Sequence, residues 1–303
     1  MSVRQGRVVQ SHGRDASVID DETGRRVHCR LQGRRLAVVC GDRVRWSEAR
    51  TEGGGGLVVE VLPRRSVLAR ISSRGDEEPV AANLTQLVAV VAPVPAPDFG
   101  LTDRYLAAAE WNGLDACIVA NKDDLPDAGG LLADALADYA RIGHAVVRAS
   151  KRRADGVEDL RARLAGHTSV LVGQSGVGKS SLTNCLVPGV EAAVAEVSRA
   201  TEAGRHTTTT SSLHALPSGG ELIDSPGVRD FSPPLPGARE IAGGYREIAA
   251  AGAGCRFRDC RHRHEPGCAV AAAAAEGRIA ARRLESYRRL LALAEEMAAR
   301  LRR

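Results

Sequence analysis

The segment "GQSGVGKS", Gly173–Ser180, constrains the fold of this chain more than any other part of the sequence. It follows an apolar stretch, "SVLV", and precedes a helix-forming stretch, "SSLTNCLV". Glycines at this spacing let backbone N–H groups and the N-terminus of the next helix approach a phosphate closely. This context predicts a phosphate-binding loop in a domain of alternating strands and helices.

The loop and the first helical turn are expected to hold a nucleoside triphosphate. The residues concerned are Gly173, Gln174, Ser175, Gly176, Val177, Gly178, Lys179, Ser180 and Ser181. Lys179 should reach the outer phosphates, and Ser180 should be a ligand of Mg²⁺. Of the 42 basic residues only three are lysines, Lys122, Lys151 and Lys179, and all three lie in or beside nucleotide motifs. The planar guanidinium of arginine replaces a flexible lysine poorly at such positions.

The segment "NKDD", which begins at Asn121, predicts recognition of a guanine base. Asp124 can accept hydrogen bonds from N1 and the 2-amino group of guanine, a donor pair that adenine lacks, so it should select GTP over ATP. Asn121 and Lys122 should hold the loop and cover the base, and Asp123 completes the motif. A surface turn is the alternative explanation for so short a motif. Two residues of a second loop are expected on the base side of the site: Ser150 and Lys151.

Two more segments fit a site that hydrolyses GTP. "LIDSPGV" contains Asp224, which could hold Mg²⁺ through water, and Gly227, whose amide could sense the γ-phosphate. "GRHTTTTS" places Thr207 and Thr208 where a switch threonine that ligates Mg²⁺ is expected, although a polar loop or an edge strand is the alternative. His206 is the best internal candidate to position the attacking water, against a solvated loop histidine. Valine follows Gly227, where many GTPases carry a water-orienting glutamine, which predicts slow intrinsic turnover and an external activator.

The order of these motifs is reversed relative to ordinary GTPases, in which the phosphate loop precedes the base-recognition motif. Domain termini often lie close together, so joining the old ends and opening the chain elsewhere preserves the arrangement in space. We therefore predict a circularly permuted GTPase domain whose site is intact.

Three domains are expected. Residues 1–70 contain five short alternating strands in a basic segment, which favours an RNA-binding β-barrel of the OB type over another small barrel or sandwich. Residues 71–235 alternate strands and helices and should form the α/β P-loop GTPase domain. Residues 236–303 should form an α-helical, zinc-binding domain. Arg64–Asn83 is interpreted as a connector, and the stretch from Ala269 onward as one Ala/Arg/Leu-rich helix.

The segment "CRFRDCRHRHEPGC" predicts a structural zinc site. Its candidate ligands are Cys255, Cys260, His262 and Cys268. Three thiolates and one imidazole make a closed tetrahedral site, and His264 is an alternative to His262. Clustered cysteines in a cytosolic chain favour a metal over a disulfide. Arginines interleave with the ligands and suggest contact with RNA: Arg256, Arg258, Arg261 and Arg263.

The charge distribution fits a polyanionic partner. Residues 1–70 carry 14 Arg and 8 acidic residues, and residues 255–303 carry 12 Arg and 6 acidic residues. Residues 71–254 carry 16 basic and 23 acidic residues, so two basic ends flank an acidic centre. No run of about 18 apolar residues and no secretion signal is recognisable, so we expect a cytoplasmic protein without a membrane span. A monomer is expected.

Together these segments resemble one family, the ribosome small-subunit-dependent GTPase A family (RsgA, also called YjeQ). The resemblance covers nearly the whole chain and includes "GDRVRW", "DRYL", "NKDDL", "GQSGVGKSSL", "GRHTTT", "DSPGVRDF" and "CRFRDCRHRHEPGCAV". It implies a GTPase of late 30S-subunit maturation that binds 16S rRNA and is activated by the 30S subunit. It also implies three Cys and one His as zinc ligands, at the four positions named above.

Two other classes of function are alternatives to this one. A GTP-gated RNA-binding module with negligible hydrolysis would explain the missing glutamine. A permuted GTPase that acts on membranes or tRNA is disfavoured, since the sequence has no lipidation motif and no recognisable modification-enzyme motif.

Overall fold

The structure, a computed structural model, describes residues 3–49, 55–72, 76–127, 129–153, 155–187, 189, 211–225 and 233–300. Its strands are β1 (Val3–His12), β2 (Asp15–Asp20), β3 (Arg26–Leu31), β4 (Arg43–Glu48), β5 (Gly56–Val61), β6 (Val67–Ile71), β7 (Glu77–Ala82), β8 (Gln86–Val91), β9 (Asp115–Asn121), β10 (Ala145–Ala149), β11 (Thr168–Val172), β12 (Ser211–Ala215) and β13 (Glu221–Asp224). Its α-helices are α1 (Phe99–Trp111), α2 (Leu131–Arg141), α3 (Glu158–Leu164), α4 (Lys179–Leu186), α5 (Arg246–Gly252), α6 (Ala269–Ala275) and α7 (Ala281–Arg300).

The first five strands form a closed barrel. Their order is β1-β2-β3-β5-β4, and β4 pairs back onto β1. β3 and β5 are parallel, whereas the other neighbours are antiparallel. Alternate residues point inward, so that Val18 and Val44 are fully buried together with Trp46. This arrangement confirms the predicted OB-type barrel.

The segment interpreted as a connector is instead a hairpin of β6 and β7. Its apolar side chains, among them Leu68, Val80 and Ala81, belong to a core cluster that continues beneath the central sheet. On the exposed side, Arg70 pairs with Glu78 at 3.2 Å. The segment contains many charged residues, but the apolar residues named above lie on one face of the hairpin and are buried. The connector interpretation is therefore wrong.

The central sheet runs in the order β10-β9-β8-β11-β13-β12. Every pair is parallel except β12–β13. β12 also pairs with β1 through Gln10↔Ser212, so the barrel and the central sheet share one continuous sheet of eleven strands. β12 is absent from the elements predicted by sequence, since it follows a polar threonine run. The domain boundaries at residues 70 and 235 stay predictions; β6 straddles the first of them.

Helices cover both faces of the central sheet, as alternation of strands and helices predicts. α1 and α2 pack against one face, where Leu87 and Ile118 are fully buried. α3 and α4 pack against the other face, where Val88 and Cys117 are fully buried. The carboxyl ends of β8, β9, β11 and β13 therefore meet at one open edge, where ligands bind in such sheets.

The C-terminal region is α-helical and packs against α1. The 3₁₀ helix Ile241–Gly244 and α5 to α7 form one core with Ala107 of α1. Fully buried Arg283 on α7 joins the two regions, since its guanidinium donates to Asp103 Oδ1 and to Glu247 Oε1, both at 2.8 Å. The single long helix expected here is divided into α6 and α7, because Gly277 adopts a left-handed φ of 75°.

In the part of the chain described above, no helix combines the length and the apolar character that a membrane span requires.

Candidate nucleotide site and metal centre

The phosphate loop joins the carboxyl end of β11 to the start of α4. Gly173 has φ 142°, and a Cβ there would lie 2.3 Å from the carbonyl oxygen of Val90, so only glycine fits between β11 and β8. The ammonium of buried Lys179 donates to the carbonyl oxygens of Gly173 at 2.5 Å and Gln174 at 2.9 Å. The loop therefore wraps around the ammonium of Lys179, the cationic side chain of its own motif.

The remaining loop residues line or brace this turn. The Gln174 side chain accepts a hydrogen bond from the backbone N–H of Asp98 at 3.2 Å. Val177 is buried, whereas Ser175 and Ser180 are exposed at the N-terminal end of the helix. An N-terminus of this kind offers unpaired N–H groups and a partial positive charge to an anion.

The base-recognition motif lies directly against the phosphate loop. Asn121, at the end of β9, donates from Nδ2 to the carbonyl oxygen of Val177 at 2.8 Å. Lys122 Nζ donates to the carbonyl oxygens of Val94 at 2.7 Å and Gly176 at 2.8 Å. Two segments separated by about fifty residues of chain thus form one surface, and their reversed order has no effect on their contact.

Asp124 faces a cleft of about 370 Å³ between the two loops. The cleft is lined by Asn121, Lys122, Asp124, Leu125, Lys151, Arg152, Gly176, Gly178 and Ser181. Buried Ser150 donates to Asp124 Oδ1 at 2.5 Å, and this hydrogen bond lowers the pKa of the Asp124 carboxyl. Arg152 lies 3.4 Å from Oδ2 and acts in the same direction. An ionised, oriented acceptor therefore points into the cleft at neutral pH.

Asp123 differs from its neighbours in the motif. Its carboxylate pairs with Arg148 at 2.6 Å and Arg153 at 3.3 Å, and it is not among the residues that line the cleft. The sequence predicts Asp123 as a nucleotide contact, whereas it does not predict Val94, which accepts from Lys122, or Arg152, which pairs with Asp124. Val94 follows β8 at the carboxyl edge of the sheet, and this position in the sequence points to the site.

Asp224 ends β13, the neighbour of β11, and so lies at the same edge as the phosphate loop. The adjacent Ser225 accepts a hydrogen bond from Ser211 Oγ at 2.6 Å. The remaining predicted catalytic residues lie outside the described residues: His206, Thr207, Thr208 and Gly227.

The four predicted metal ligands converge in the C-terminal region. Ligand atoms of Cys255, Cys260, His262 and Cys268 all lie within 4.8 Å of one another. His262 Nδ1 is 3.5 Å from the sulfurs of both Cys255 and Cys268. A tetrahedron with zinc–sulfur bonds of about 2.3 Å and zinc–nitrogen bonds of about 2.0 Å would separate these atoms by about 3.5 Å. The cluster thus fits zinc, whereas His264 is exposed and outside it.

Helix α7 and one carboxylate hold the ligand loop in place. Tyr287 and Arg288 of α7 donate to the carbonyl oxygens of Arg261 at 3.1 Å and of His262 at 3.0 Å. Glu265 accepts from three backbone N–H groups of the loop at 2.9 to 3.1 Å. Burial alone would raise the pKa of Glu265, but these donors outweigh it and lower the pKa to about 2.

Comparison with known proteins settles the family. The model of the RsgA GTPase family matches residues 61–233, more than half of the chain. The chain belongs to the RsgA GTPase family. It is 48% identical over 272 residues to the small ribosomal subunit biogenesis GTPase RsgA of Azotobacter vinelandii, covering 89% of this chain and 78% of that protein. It is 46% identical over 292 residues to the protein of the same name from Chromohalobacter salexigens, covering 95% and 85%.

Two solved structures share the fold of this RsgA GTPase family member. YjeQ from Thermotoga maritima is 32% identical, with a TM-score of 0.77 over 97% of this chain and 99% of that one. YloQ, described as a circularly permuted GTPase, is 26% identical, with a TM-score of 0.74 over 98% and 96%. The predicted circular permutation is confirmed, and the chain is a GTP-hydrolysing enzyme that takes a guanine nucleotide.

Proposed function

We propose that this enzyme hydrolyses GTP to GDP and phosphate during late maturation of the 30S ribosomal subunit, and that the subunit stimulates the reaction. The hydrogen bond between Asn121 and Val177 carries the proposal, because it joins base recognition and phosphate binding in a single cleft. The relatives from Azotobacter and Chromohalobacter are named for biogenesis of the small subunit. An RNA-binding module with negligible hydrolysis is not favoured, since family and relatives alike are named GTPases.

Asp124 would read the base. Its carboxylate is oriented by Ser150 and would accept from N1 and the 2-amino group of guanine, with Arg152 moving aside or packing over the ring. Lys122 and Asn121 would keep the two loops at a fixed separation. Adenine offers no matching donors, so binding it would leave the Asp124 carboxylate without hydrogen bonds from the base.

The phosphate loop would hold the triphosphate from Gly173 to Ser181, with Lys179 on the outer phosphates. Ser180 and Asp224, with Thr207 or Thr208, would hold Mg²⁺, which supplies neutralisation of phosphate charge when bound. The Gly227 amide would contact the γ-phosphate, and His206 would position the attacking water. Asp123 would brace the base loop through Arg148 and Arg153.

One Zn²⁺ held by the Cys255 cluster would stabilise the C-terminal domain, since a closed set of three thiolates and one imidazole leaves no open position for substrate. The barrel and this domain would contact 16S rRNA on either side of the GTPase domain. We propose that the protein acts as a monomer in the cytoplasm, where small subunits are assembled.

Steady-state GTP turnover with and without purified 30S subunits tests the proposal, with 50S subunits and free tRNA as matched controls. We expect slow turnover alone, strong stimulation by 30S particles, and co-sedimentation with them in the presence of a non-hydrolysable GTP analogue. Equal turnover with and without 30S particles, or equal binding to 50S particles, would contradict it.

A further inference from the structure

The metal-ligand loop exposes an aromatic ring. Phe257, two residues after the ligand Cys255, is 42% exposed. Of the large apolar side chains that are exposed in the described ranges, it is the only aromatic one. Single exposed aliphatic side chains are ordinary in proteins, but a flat ring on a rigid loop has a specific use as a stacking surface.

Hydrogen bonds on both sides of the ring hold the backbone that carries it. The backbone N–H of Arg256 donates to the carbonyl oxygen of Gly267 at 3.2 Å, and the carbonyl oxygen of Phe257 accepts from the N–H of Cys260 at 3.3 Å. Ligands lie on both sides, at Cys255 and Cys260. Little conformational entropy of this loop backbone is therefore lost when a partner binds to the ring.

The four arginines of the loop fall into two pairs with different surroundings. Arg261 and Arg263 each donate to Glu295 of α7 at 2.6 Å, so the two guanidinium groups share one carboxylate and are held against α7. Arg256 and Arg258 are exposed and form no ion pair with an acidic group among the described residues. The Arg256 guanidinium carbon lies 5.5 Å from the centre of the Phe257 ring. The exposed Asp259 offsets one of these two charges and leaves the patch cationic.

We infer that Arg256, Phe257 and Arg258 form a platform on which one unpaired RNA base stacks while the arginines contact the adjacent phosphates. The combination of a π face and guanidinium groups without an acidic partner among the described residues matches the way single-stranded nucleic acid is held. Bases within a duplex are covered by their neighbours, so the platform selects loops, bulges or ends. This inference rests on the proposed contact with RNA and names the residues and the form of RNA.

Binding of the full-length, zinc-loaded protein to a labelled 12-nucleotide single-stranded RNA tests this inference, with the same sequence as a duplex for comparison. We expect Phe257→Leu to weaken single-strand binding at least about fivefold, and Phe257→Tyr to retain it. Duplex binding should change little in either variant. Leu293→Ala is the matched control, because Leu293 is an exposed apolar residue of the same domain, 37% exposed, and lies outside the platform. Unaltered zinc content and melting temperature would show that each variant is folded.

Two further readouts separate stacking from other effects. The fluorescence of a Phe257→Trp variant should be quenched by the single strand, in excess of the response of wild-type protein. Replacing Arg256 and Arg258 with Gln should make the plot of log binding constant against log salt concentration less steep. The slope should change by about 0.7 for each phosphate contact that is lost. Absence of quenching, or single-strand binding by Phe257→Leu that equals wild type, would overturn the inference even if the protein still binds RNA.

The outcomes also distinguish this inference from the proposed function. If Phe257→Leu lost affinity for 30S subunits but not for RNA, the platform would meet a protein and the inference would be wrong. If wild-type protein bound neither RNA nor 30S subunits, the proposed function itself would fail.

Discussion

Asn121 Nδ2 lies 2.8 Å from the carbonyl oxygen of Val177 and donates a hydrogen bond to it. Asn121 opens the base-recognition motif, and Val177 lies in the phosphate loop that follows much later in the chain. In a parallel sheet, strands that are distant in sequence end at the same edge, so spatial order and chain order are independent. This contact shows that the base-recognition motif and the phosphate loop meet in space although the base-recognition motif comes first in the chain.

Gly178 protects that contact. Its φ is 99°, and a Cβ there would lie 2.3 Å from Asn121 Nδ2. We expect Gly178→Ala to separate the two loops and to weaken binding of GTP by an order of magnitude or more, as measured by calorimetry. Gly113→Ala is the matched control, because Gly113 also has a positive φ, 62°, but has open space around its Cβ. If both variants lost the same affinity for GTP, the cause would be backbone strain of about 1–2 kcal/mol and not the contact between Asn121 and Val177.

Asp124→Asn should change the base that is recognised. The amide cannot accept from both N1 and the 2-amino group, and losing two charge-assisted hydrogen bonds costs about 3 kcal/mol, or on the order of 100-fold in affinity for GTP. Xanthosine triphosphate, which carries an oxygen in place of the 2-amino group, should gain affinity because the amide can donate to it. Asp123→Asn, one residue earlier, should have a clearly smaller effect, since Asp123 pairs with arginines away from the cleft. A preference for guanine that survives Asp124→Asn would remove Asp124 from base recognition.

The predicted parts of the site that the structure describes share one property: each is a short motif attached to an apolar strand. "SVLV" before the phosphate loop and "CIVA" before Asn121 fix both motifs at the carboxyl edge of the sheet. Once the edge is known, proximity of the motifs follows from the fold.

Other features depend on partners that are distant in sequence. The hairpin of β6 and β7 has few apolar residues, and only its contact with the core beneath the central sheet shows which of them are buried. The difference between Arg256 and Arg261 is likewise invisible in the sequence, because it depends on Glu295 from another helix. The motifs can be predicted from local sequence patterns, whereas ion pairs between distant elements can be seen only in the folded structure.

The metal ligands can be tested with two neighbouring histidines. We expect His262→Ala to lose the zinc and to lower the stability of the C-terminal domain, because His262 Nδ1 is 3.5 Å from two of the thiols. His264→Ala should keep one zinc per chain, since its side chain is exposed and outside the cluster. Elemental analysis of both purified variants gives the answer. Retention of zinc by the His262 variant together with loss by the His264 variant would reverse the assignment.

His144 should make stability depend on pH between about 4 and 6.5. Burial, helped by the positive charges of Arg246 and Arg283, lowers the pKa of His144 to about 4 from an ordinary value of about 6.5. As pH falls, the unfolded chain therefore binds the proton before the folded chain does. The free energy of unfolding is highest above pH 6.5 and decreases below it. At pH 5 the loss should be about 2 kcal/mol.

Urea unfolding at pH 7 and pH 5 measures this effect in wild type and in His144→Phe. The variant keeps a ring next to Tyr139, whose centre lies 6.3 Å from that of His144, but it has no proton to bind. We expect its stability to fall less between the two pH values than that of wild type, by about 2 kcal/mol. Identical pH dependence in the two proteins would exclude His144 as the source.

Titration calorimetry of the purified protein with GTP and ATP in the presence of Mg²⁺ examines whether the permuted chain builds one guanine-specific site. Binding of a single GTP per chain, with ATP weaker by on the order of 100-fold, is the expected result. Equal affinity for the two nucleotides, or no binding of either, would mean that the loops joined by Asn121 and Val177 do not form a guanine nucleotide site.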